Sequence, residues 1–291
     1  MKTSIDCIPC FARQTLQAAR FVTDDVREQE AITREALRVV ADMDFDQPPP
    51  VIVQWLHRHL REITGSADPY RETKEQLNRL AFEMLPVLER RVEQTSDPLA
   101  LAVRYAIAGN AIDLGAYAGT STEELWASLD ATLDQPFHGE VEALRSAAAA
   151  AKSILYLADN AGEIVFDRML LKQLPAGRVT VAVRGGPVIN DVTRRGAREV
   201  GIHQLAELVD NGSDAPGTLL SDCSPEFLER FHDADLIISK GQGNFETLSD
   251  VVAPIFFLFE VKCELASAHA GLPVGTRALL PSAHFEAWLP G

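Results

Sequence analysis

Two segments of the chain carry carboxylate and amide side chains in an arrangement that suits a divalent metal ion. Asp159 and Asn160 are adjacent, and Asp191 ends a later polar segment that begins at Arg184. Carboxylate and amide oxygens are hard ligands of the kind that Mg²⁺ and Mn²⁺ prefer. Asp and Asn also begin helices, because their side-chain oxygens accept hydrogen bonds from the first helical N–H groups. The two segments therefore predict either a metal site or two helix starts.

Two basic residues next to glycines could bind an anion. Arg184 precedes a Gly-Gly-Pro sequence, and a guanidinium can donate two parallel hydrogen bonds to a phosphate. Lys240 precedes Gly241 and Gly243, which would let backbone amides approach an anion whose charge the lysine neutralises. The lysine comes before the glycines and G-x-G-x-x-G is absent, so the segment is neither a P-loop nor a dinucleotide fingerprint. Simple turn formation is the alternative for both segments.

The second half of the chain contains the elements that would position these residues. Short apolar runs predict strands at residues 153–158, 179–183, 207–210, 236–239 and 255–259. Helical stretches lie between them at residues 164–174, 191–200 and 225–231. Buried strands that alternate with helices predict a mostly parallel, three-layer α/β sheet. Such sheets place their sites at the carboxyl ends of strands, and the polar and glycine segments follow the predicted strands.

The first half of the chain is predicted to be helical. Apolar residues recur at helical spacing in residues 8–19, 51–63, 70–92, 98–108, 120–133 and 142–152. Turn signals rich in Pro, Gly, Ser and Asp separate these stretches. Within them, Asn110 and Asp113 interrupt an apolar helix, and Asp68 and Lys74 lie at a helix start. Taken alone, each of these polar pairs is better explained as a cap or a solvated helix face.

Composition excludes several classes of function. The 291 residues include 27 Lys and Arg against 42 Asp and Glu, which gives a net charge of −15. This excess of acid argues against binding nucleic acid or an anionic membrane. It leaves a small phosphorylated substrate open, because a bound cation can supply local positive charge. We see no signal peptide pattern and no apolar run near the roughly 20 residues of a membrane span, so we expect a cytoplasmic protein.

Cys7 and Cys10 form a C-x-x-C pair whose role the sequence leaves open. Four cysteines in a chain of this length do not make a disulfide framework. A structural or auxiliary thiol role, a metal cluster that Cys263 or a histidine completes, and redox catalysis are the alternatives.

Taken together, these segments resemble the metal-dependent damage-control phosphatases, which were earlier grouped as domain of unknown function 89. The resemblance is carried, in chain order, by C-x-x-C, DPY with Lys74, GN-x-ID, DNAGE, R-x-x-P-x-x-ND and SKGQGNFE. It extends from Cys7 to Cys263, and DNAGE and SKGQGN are its most specific parts. The C-x-x-C and the chain length resemble the compact prokaryotic branch of the family.

The resemblance implies two domains and a divalent metal ion. Residues 1–150 would form a helical domain that caps the cleft, and residues 151–291 a Rossmann-like α/β/α domain that binds metal and phosphate. The ion, Mn²⁺, Mg²⁺, Co²⁺ or Ni²⁺, would be held by Asp159, Asn160 and Asp191. Family members hydrolyse phosphate esters of small, often damaged, metabolites such as sugar phosphates.

The resemblance also suggests how the remaining residues would act. A metal ion would activate water for attack on the phosphoryl group. Lys240, Arg184 and the backbone amides of residues 241–244, which end at Asn244, would stabilise the phosphoryl charge. Glu163 would act as a general base or would position its neighbours. The residues expected to contact the rest of the substrate are Asn110, Asp113, Asp68 and Lys74.

Three other functions are weighed against this one. A haloacid-dehalogenase-type phosphatase needs D-x-D after the first strand, where this chain has Asp159, Asn160 and Ala161. A carboxyl methyltransferase would need a glycine-rich loop for the methyl donor, but residues 159–163 contain one glycine. A non-catalytic protein that binds a phosphorylated metabolite is the third alternative. The sequence predicts no oligomeric state.

Overall fold

A mixed sheet with helices on both faces organises the molecule. The computed structural model describes residues 1–111, 122–283 and 285. The strands are β1 Phe137–His138, β2 Ile154–Leu157, β3 Val179–Val183, β4 Glu207–Asp210, β5 Leu236–Lys240, β6 Ile255–Glu260 and β7 Arg277–Pro281. Their spatial order is β1-β7-β6-β5-β2-β3-β4. Strands β2 to β6 are parallel, whereas β7 is antiparallel to β6 and parallel to β1.

The α-helices fall into an N-terminal group and a group that alternates with strands. The first are α1 Ile8–Val22, α2 Val26–Ala41, α3 Pro49–Thr64, α4 Arg71–Gln94, α5 Pro98–Ala108, α6 Thr122–Asp134 and α7 Val141–Ala150. The second are α8 Glu163–Leu171, α9 Arg194–Glu199, α10 Pro225–Asp233, α11 Gln242–Leu248 and α12 Glu264–Ala270. No helix in the described parts of the chain has both the length and the apolar character that a membrane crossing needs.

The central strands are apolar throughout because helices cover both of their faces. Side chains alternate between the faces of a strand. Ile154 and Tyr156 of β2 therefore enter one core, together with α4, α5, α7 and α8. Leu155 and Leu157 enter a second core, with α10, α11 and α12. Uninterrupted apolar runs are thus what a parallel sheet buried on both faces requires.

A polar cluster joins α3 to the connection between β4 and α10. Asp214 accepts hydrogen bonds from Gln54 Nε2 (2.7 Å) and Arg58 Nη2 (2.6 Å), and it also pairs with Arg61. Arg61 Nη1 in turn donates to the Pro187 carbonyl (2.7 Å) in the loop that follows β3. We call these four side chains and the Pro187 carbonyl the α3 clamp. It fixes the N-terminal helices against the loops at one end of the sheet.

The strand order creates a crevice between β2 and β5. From β2 the chain proceeds through β3 to β4 on one side, and it then crosses to β5 and β6 on the other side. Leu157 of β2 is in register with Ser239 of β5. In open α/β sheets, ligands bind outside the carboxyl ends of the strands at such a reversal. The predicted site residues Asp159 and Lys240 lie at the ends of these two strands.

The predicted fold class, a mostly parallel α/β/α sheet with helices ahead of it, is confirmed. All five predicted strands form, but the sequence did not predict β1 and β7. Strand β1 has only two residues, and β7 ends in Pro281. The domain division at residue 150 stays a prediction. Strand β1 precedes that position yet belongs to the sheet, and one core cluster contains both Leu77 and Leu279.

Candidate active site

The loops that follow β2 and β3 pair with each other and bring the predicted metal ligands together. The Val192 N–H donates to the Asp159 carbonyl (2.8 Å). Asn160 and Asp191 form an antiparallel bridge beside this bond. Ile189, two residues before Asp191, has a φ of +39°, a conformation that β-branched residues rarely adopt. Backbone strain of this kind is concentrated at functional sites.

Neither of these loops uses its acidic side chains to start a helix. The N-cap of α8 is Gly162 and that of α9 is Thr193, and neither makes a side-chain capping bond. The Gly162 N–H is instead satisfied by Asn78 Oδ1 of α4 (2.7 Å). The interpretation of Asp159, Asn160 and Asp191 as helix caps is therefore wrong, although α8 does begin in the first segment with Glu163 in its first turn.

Arg184 lies between the two predicted aspartate ligands. Its guanidinium is 1% exposed, and Nε donates to Asp191 Oδ2 (2.6 Å). Nη1 contacts Asn244 Oδ1 (3.2 Å) and Thr218 Oγ1 (3.5 Å). Nη2 lies 3.5 Å from Asp159 Oδ1 but has no hydrogen-bond partner among the described residues. The arginine thus holds both carboxylates and keeps one buried donor available.

Lys240 is fully buried, and all three of its N–H groups have acceptors. Nζ donates to the Ala106 carbonyl (2.7 Å), Glu163 Oε1 (2.6 Å) and Asp167 Oδ1 (2.6 Å). An ammonium has three donors, so this arrangement leaves none for the predicted contact with a phosphate. That contact stays a prediction, and it requires one of the three acceptors to give way.

Asn160 connects the two predicted ligand loops to the helical half of the chain. Its Nδ2 donates to Asp159 Oδ2 (2.6 Å) and to Glu163 Oε2 (3.0 Å). A longer contact of 3.4 Å reaches Asn110 Oδ1, which also accepts from Lys262 Nζ (3.1 Å). The predicted residue Asn110 therefore does meet the site.

Four buried carboxylates form what we call the acidic cluster: Asp159, Glu163, Asp167 and Asp191. Two buried cations, Arg184 and Lys240, face them, so full ionisation would leave the group with excess negative charge. Burial, reinforced by Glu163 and Asp191, raises the pKa of Asp159 well above its ordinary value. Burial also raises the pKa of Asp167 to about 6 against the opposing effect of Lys240. Lys262 and Lys74 act on Asp159 and Asp191 from further away, so the carboxylates outnumber only the cations in direct contact with them.

Gly241 is packed directly against the Asp159 carboxylate. Its φ is +81° and its ψ 158°, a region that is essentially restricted to glycine. A Cβ at this position would overlap Cγ and Oδ2 of Asp159 and would come within 2.8 Å of Oδ1. Gly243 is required for a different reason, since a Cβ there would overlap the Pro216 carbonyl oxygen. The predicted approach of these amides to an anion stays untested.

A cavity of about 390 Å³ opens beside Arg184 and is lined by both halves of the chain. The predicted pair Asp68 and Lys74 lies in its wall, with Lys74 Nζ 2.7 Å from Asp68 Oδ2. Asp68 Oδ1 also accepts from the Tyr70 N–H (3.1 Å), so part of its role is structural. The cationic side chains in the wall are Arg71, Lys74, Arg184, Arg194 and Arg195. Four carboxylates share this wall, Asp68, Glu75, Glu199 and Asp210, so its charges nearly balance, with one more cation than anion.

The predicted residue Asp113 and the predicted thiol cluster are not among the contacts of the site described above. Asp113 lies outside the described residues. Cys7, Cys10 and Cys263 are free and half-buried, and burial raises the pKa of Cys7, with both other thiols nearby. Cys263 Sγ caps α12 and accepts from Gln242 Nε2 (3.5 Å). A thiol cluster therefore stays a prediction.

The sequence analysis overlooked three residues of the site. Asp167 lies on α8 four residues after Glu163, on the same face of the helix, and this spacing could have revealed it. Lys262 follows the carboxyl end of β6, where the strand-end rule would have looked. Thr218, whose hydroxyl donates to Asn244 Oδ1 (2.8 Å), carries no signal in the sequence.

The donor set can be compared with what a divalent ion needs. In the described ranges, no group of three or more His, Cys, Asp or Glu side chains is arranged to hold a metal ion. The predicted set includes an asparagine, and its two aspartates point to Arg184. The residue types nevertheless fit a hard divalent cation.

Comparison with known proteins places the chain in a family. Residues 3–278 match the damage-control phosphatase ARMT1-like domain. A protein of Archaeoglobus fulgidus named damage-control phosphatase is 34% identical, with 94% of this chain and 97% of that protein covered. The damage-control phosphatase PH1575 of Pyrococcus horikoshii is 31% identical over 94% of this chain and 96% of its own length. An uncharacterised protein of Methanocaldococcus jannaschii, MJ0202, is 34% identical, with 96% and 95% covered.

Comparison with solved structures supports the same family. The crystal structure of a protein of the domain-of-unknown-function-89 family from Pyrococcus horikoshii superposes with a TM-score of 0.88 at 29% identity, covering 97% of this chain and 99% of that one. The predicted resemblance is confirmed: the chain belongs to the damage-control phosphatase family with an ARMT1-like domain.

Proposed function

We propose that the chain is a divalent-metal-dependent phosphatase that hydrolyses phosphate monoesters of small, damaged metabolites such as sugar phosphates. The observation that carries the proposal is the acidic cluster, whose four carboxylates outnumber the two cations in direct contact with them and which lies at the strand-order reversal beside a cavity. The names of the relatives from Archaeoglobus and Pyrococcus support the same activity.

Asp159, Asn160 and Asp191 would hold the metal ion. Their oxygens are hard ligands, and the neighbouring carboxylates add to the local negative charge. Mn²⁺, Mg²⁺, Co²⁺ and Ni²⁺ are the candidates. When bound, the ion supplies Lewis acidity toward a phosphoryl oxygen and lowers the pKa of a bound water.

Arg184 would orient the phosphoryl group. Its Nη2 is buried and without a hydrogen-bond partner in the described structure, so it can donate to a phosphoryl oxygen with little desolvation of its own. Asn244 and Thr218 hold the other side of the guanidinium. A donor fixed in a dry site stabilises developing charge more effectively than the same donor in water.

Lys240 and Glu163 would act as a pair. Glu163 contacts Lys240 with one oxygen and Asn160 with the other, which supports a positioning role. As the proposed general base it would take the proton of the attacking water at Oε2. The non-phosphate part of the substrate would lie in the cavity against Asp68 and Lys74, with Asn110 at the metal side.

The relatives named as phosphatases favour hydrolysis over the methyltransferase alternative. Turnover of a phosphate ester would distinguish an enzyme from a non-catalytic protein that binds a phosphorylated metabolite. The test is release of inorganic phosphate from p-nitrophenyl phosphate with each divalent ion in turn, for the wild type and for Asp159→Ala. We expect release that depends on the ion and is lost in the variant, while the melting temperature shows that the variant is folded. Full activity of Asp159→Ala, or release that chelators do not affect, would refute the metal assignment.

A further inference from the structure

The three acceptors around Lys240 are not equivalent. Glu163 begins α8 and is also bonded, through its second oxygen, to Asn160. Asp167 lies one turn further along the same helix and is 0% exposed. Its carboxylate also interacts with the buried Tyr156 hydroxyl. The third acceptor, the Ala106 carbonyl, belongs to the last turn of α5 and cannot move independently of that helix.

The environment of Asp167 fixes it to the core. Its neighbours Val165 and Phe166 on α8 are fully buried in the cluster that covers one face of the sheet. Tyr156 of β2 lies beside it and is also completely buried, and the Asp167 carboxylate helps to raise the pKa of the Tyr156 hydroxyl. Glu163 is equally buried, so the two carboxylates differ in what they face: Asp167 lies against Tyr156 in the core, whereas Glu163 lies against Asn160 among the predicted metal ligands.

A phosphoryl group that approaches Lys240 from the predicted metal ligands therefore meets Glu163 before it meets Asp167. Glu163 is the acceptor that faces the predicted metal ligands, since Asn160 Nδ2 lies 3.0 Å from its Oε2. Replacement would leave Lys240 with two of its three bonds, to Asp167 and to the Ala106 carbonyl. The ammonium would remain charged and aimed at the position that Glu163 had occupied.

We infer that Asp167 is a positioning residue that, with the Ala106 carbonyl, retains Lys240 while Glu163 exchanges with the phosphoryl group of the substrate. The inference rests on the proposed phosphatase function. It assigns opposite roles to two carboxylates that bind the same ammonium at the same distance: Asp167 supports phosphate binding, and Glu163 competes with it.

Inorganic phosphate, the product of the proposed reaction, is the probe. Its dissociation constant is measured by calorimetry in saturating Mn²⁺ for the wild type, Asp167→Asn and Glu163→Gln, with the Mn²⁺ affinity of each recorded separately. We expect Asp167→Asn to bind phosphate roughly 10-fold more weakly or worse, the usual effect of losing a bond between charged groups. Glu163→Gln should bind it at least as tightly as the wild type. Ser239→Ala, a buried polar change on the adjacent residue of β5, should leave binding unchanged.

The two variants are expected to change phosphate affinity in opposite directions, and this distinguishes a positioning role of Asp167 from a purely electrostatic one. If Asp167 acted only as a nearby negative charge, its removal would strengthen phosphate binding, as removal of Glu163 does. Tighter or unchanged binding by Asp167→Asn would overturn the inference. Weaker binding by Glu163→Gln would overturn it as well, even if Asp167→Asn failed to fold. A wild type that neither binds nor releases phosphate would instead refute the proposed function. In an active enzyme, Asp167→Asn should raise KM for p-nitrophenyl phosphate more than it lowers kcat.

Discussion

Gly241 offers a sharp perturbation of the site because one methyl group there acts on one carboxylate. In Gly241→Ala the new Cβ would overlap Cγ and Oδ2 of Asp159 and come within 2.8 Å of Oδ1. The opposite side of the carboxylate is closed by Asn160 and Arg184. Either Asp159 or the backbone at residue 241 has to move.

The size of the effect follows from the geometry. To regain van der Waals separation, the carboxylate has to retreat by roughly 1 Å. A displacement of that size at a reacting centre costs on the order of 100-fold in rate. The backbone conformation of residue 241, with φ +81° and ψ 158°, costs an alanine about 1–3 kcal/mol. We therefore expect kcat/KM to fall by roughly 100-fold and the free energy of unfolding by about 1–3 kcal/mol.

Gly271→Ala is the matched control. Gly271 also has a positive φ, +68°, but it ends α12 and a Cβ there meets nothing within 4 Å. Its substitution should cost roughly 1–2 kcal/mol of stability and leave kcat/KM unchanged. Both variants are assayed for metal-dependent hydrolysis of p-nitrophenyl phosphate and for urea unfolding. If Gly241→Ala is as active as Gly271→Ala, the carboxylate of Asp159 has no part in the reaction.

Two further predictions concern stability. Burial, with help from Arg61 and Lys74 and against the effect of Asp214, lowers the pKa of His57 to about 4. Below pH 6.5, His57 is therefore protonated in the unfolded chain but stays neutral in the native protein. The free energy of unfolding falls by about 3 kcal/mol between pH 6.5 and pH 4 as a result. Urea unfolding of His57→Gln should lack this part of the loss; a pH dependence equal to that of the wild type would contradict the assignment. Asp214→Asn removes the charge that Arg58 and Arg61 share in the α3 clamp and should lower the free energy of unfolding by about 1–3 kcal/mol. Asp46→Asn, in a fully exposed pair with Lys2, should leave the free energy of unfolding almost unchanged, and equal losses in the two variants would show that the clamp contributes no more than a surface ion pair.

The fold could be predicted where local pattern and burial agree. The apolar run of β3 has the bounds that the sequence indicated, because a strand buried on both faces leaves no polar alternation to misread. Strand β4 also has its predicted bounds, although it is a partly exposed edge strand that begins with Glu207 and ends with Asp210. Strand β7 escaped prediction because it is antiparallel and lies toward the sheet edge, beside a strand of two residues. Its assignment depends on a tertiary neighbour that local sequence does not reveal.

The site could be predicted only in part, for a similar reason. The strand-end rule found Asp159, Asp191 and Lys240 because the chain itself brings them to one edge of the sheet. It could not show that Arg184 would hold both aspartates, since that contact depends on the fold of the loop after β3. The rule also could not show that Lys240 would donate hydrogen bonds to Asp167 and to the Ala106 carbonyl. One of these acceptors lies inside a helix, and the other is a backbone atom 134 residues away in the chain.

The most direct test of the central claim is anomalous diffraction from a crystal of the wild type grown with Mn²⁺. We predict one strong manganese peak within bonding distance of oxygens from Asp159, Asn160 and Asp191, and no such peak in Asp159→Ala. Manganese bound elsewhere, with these three side chains still turned to Arg184, would contradict it.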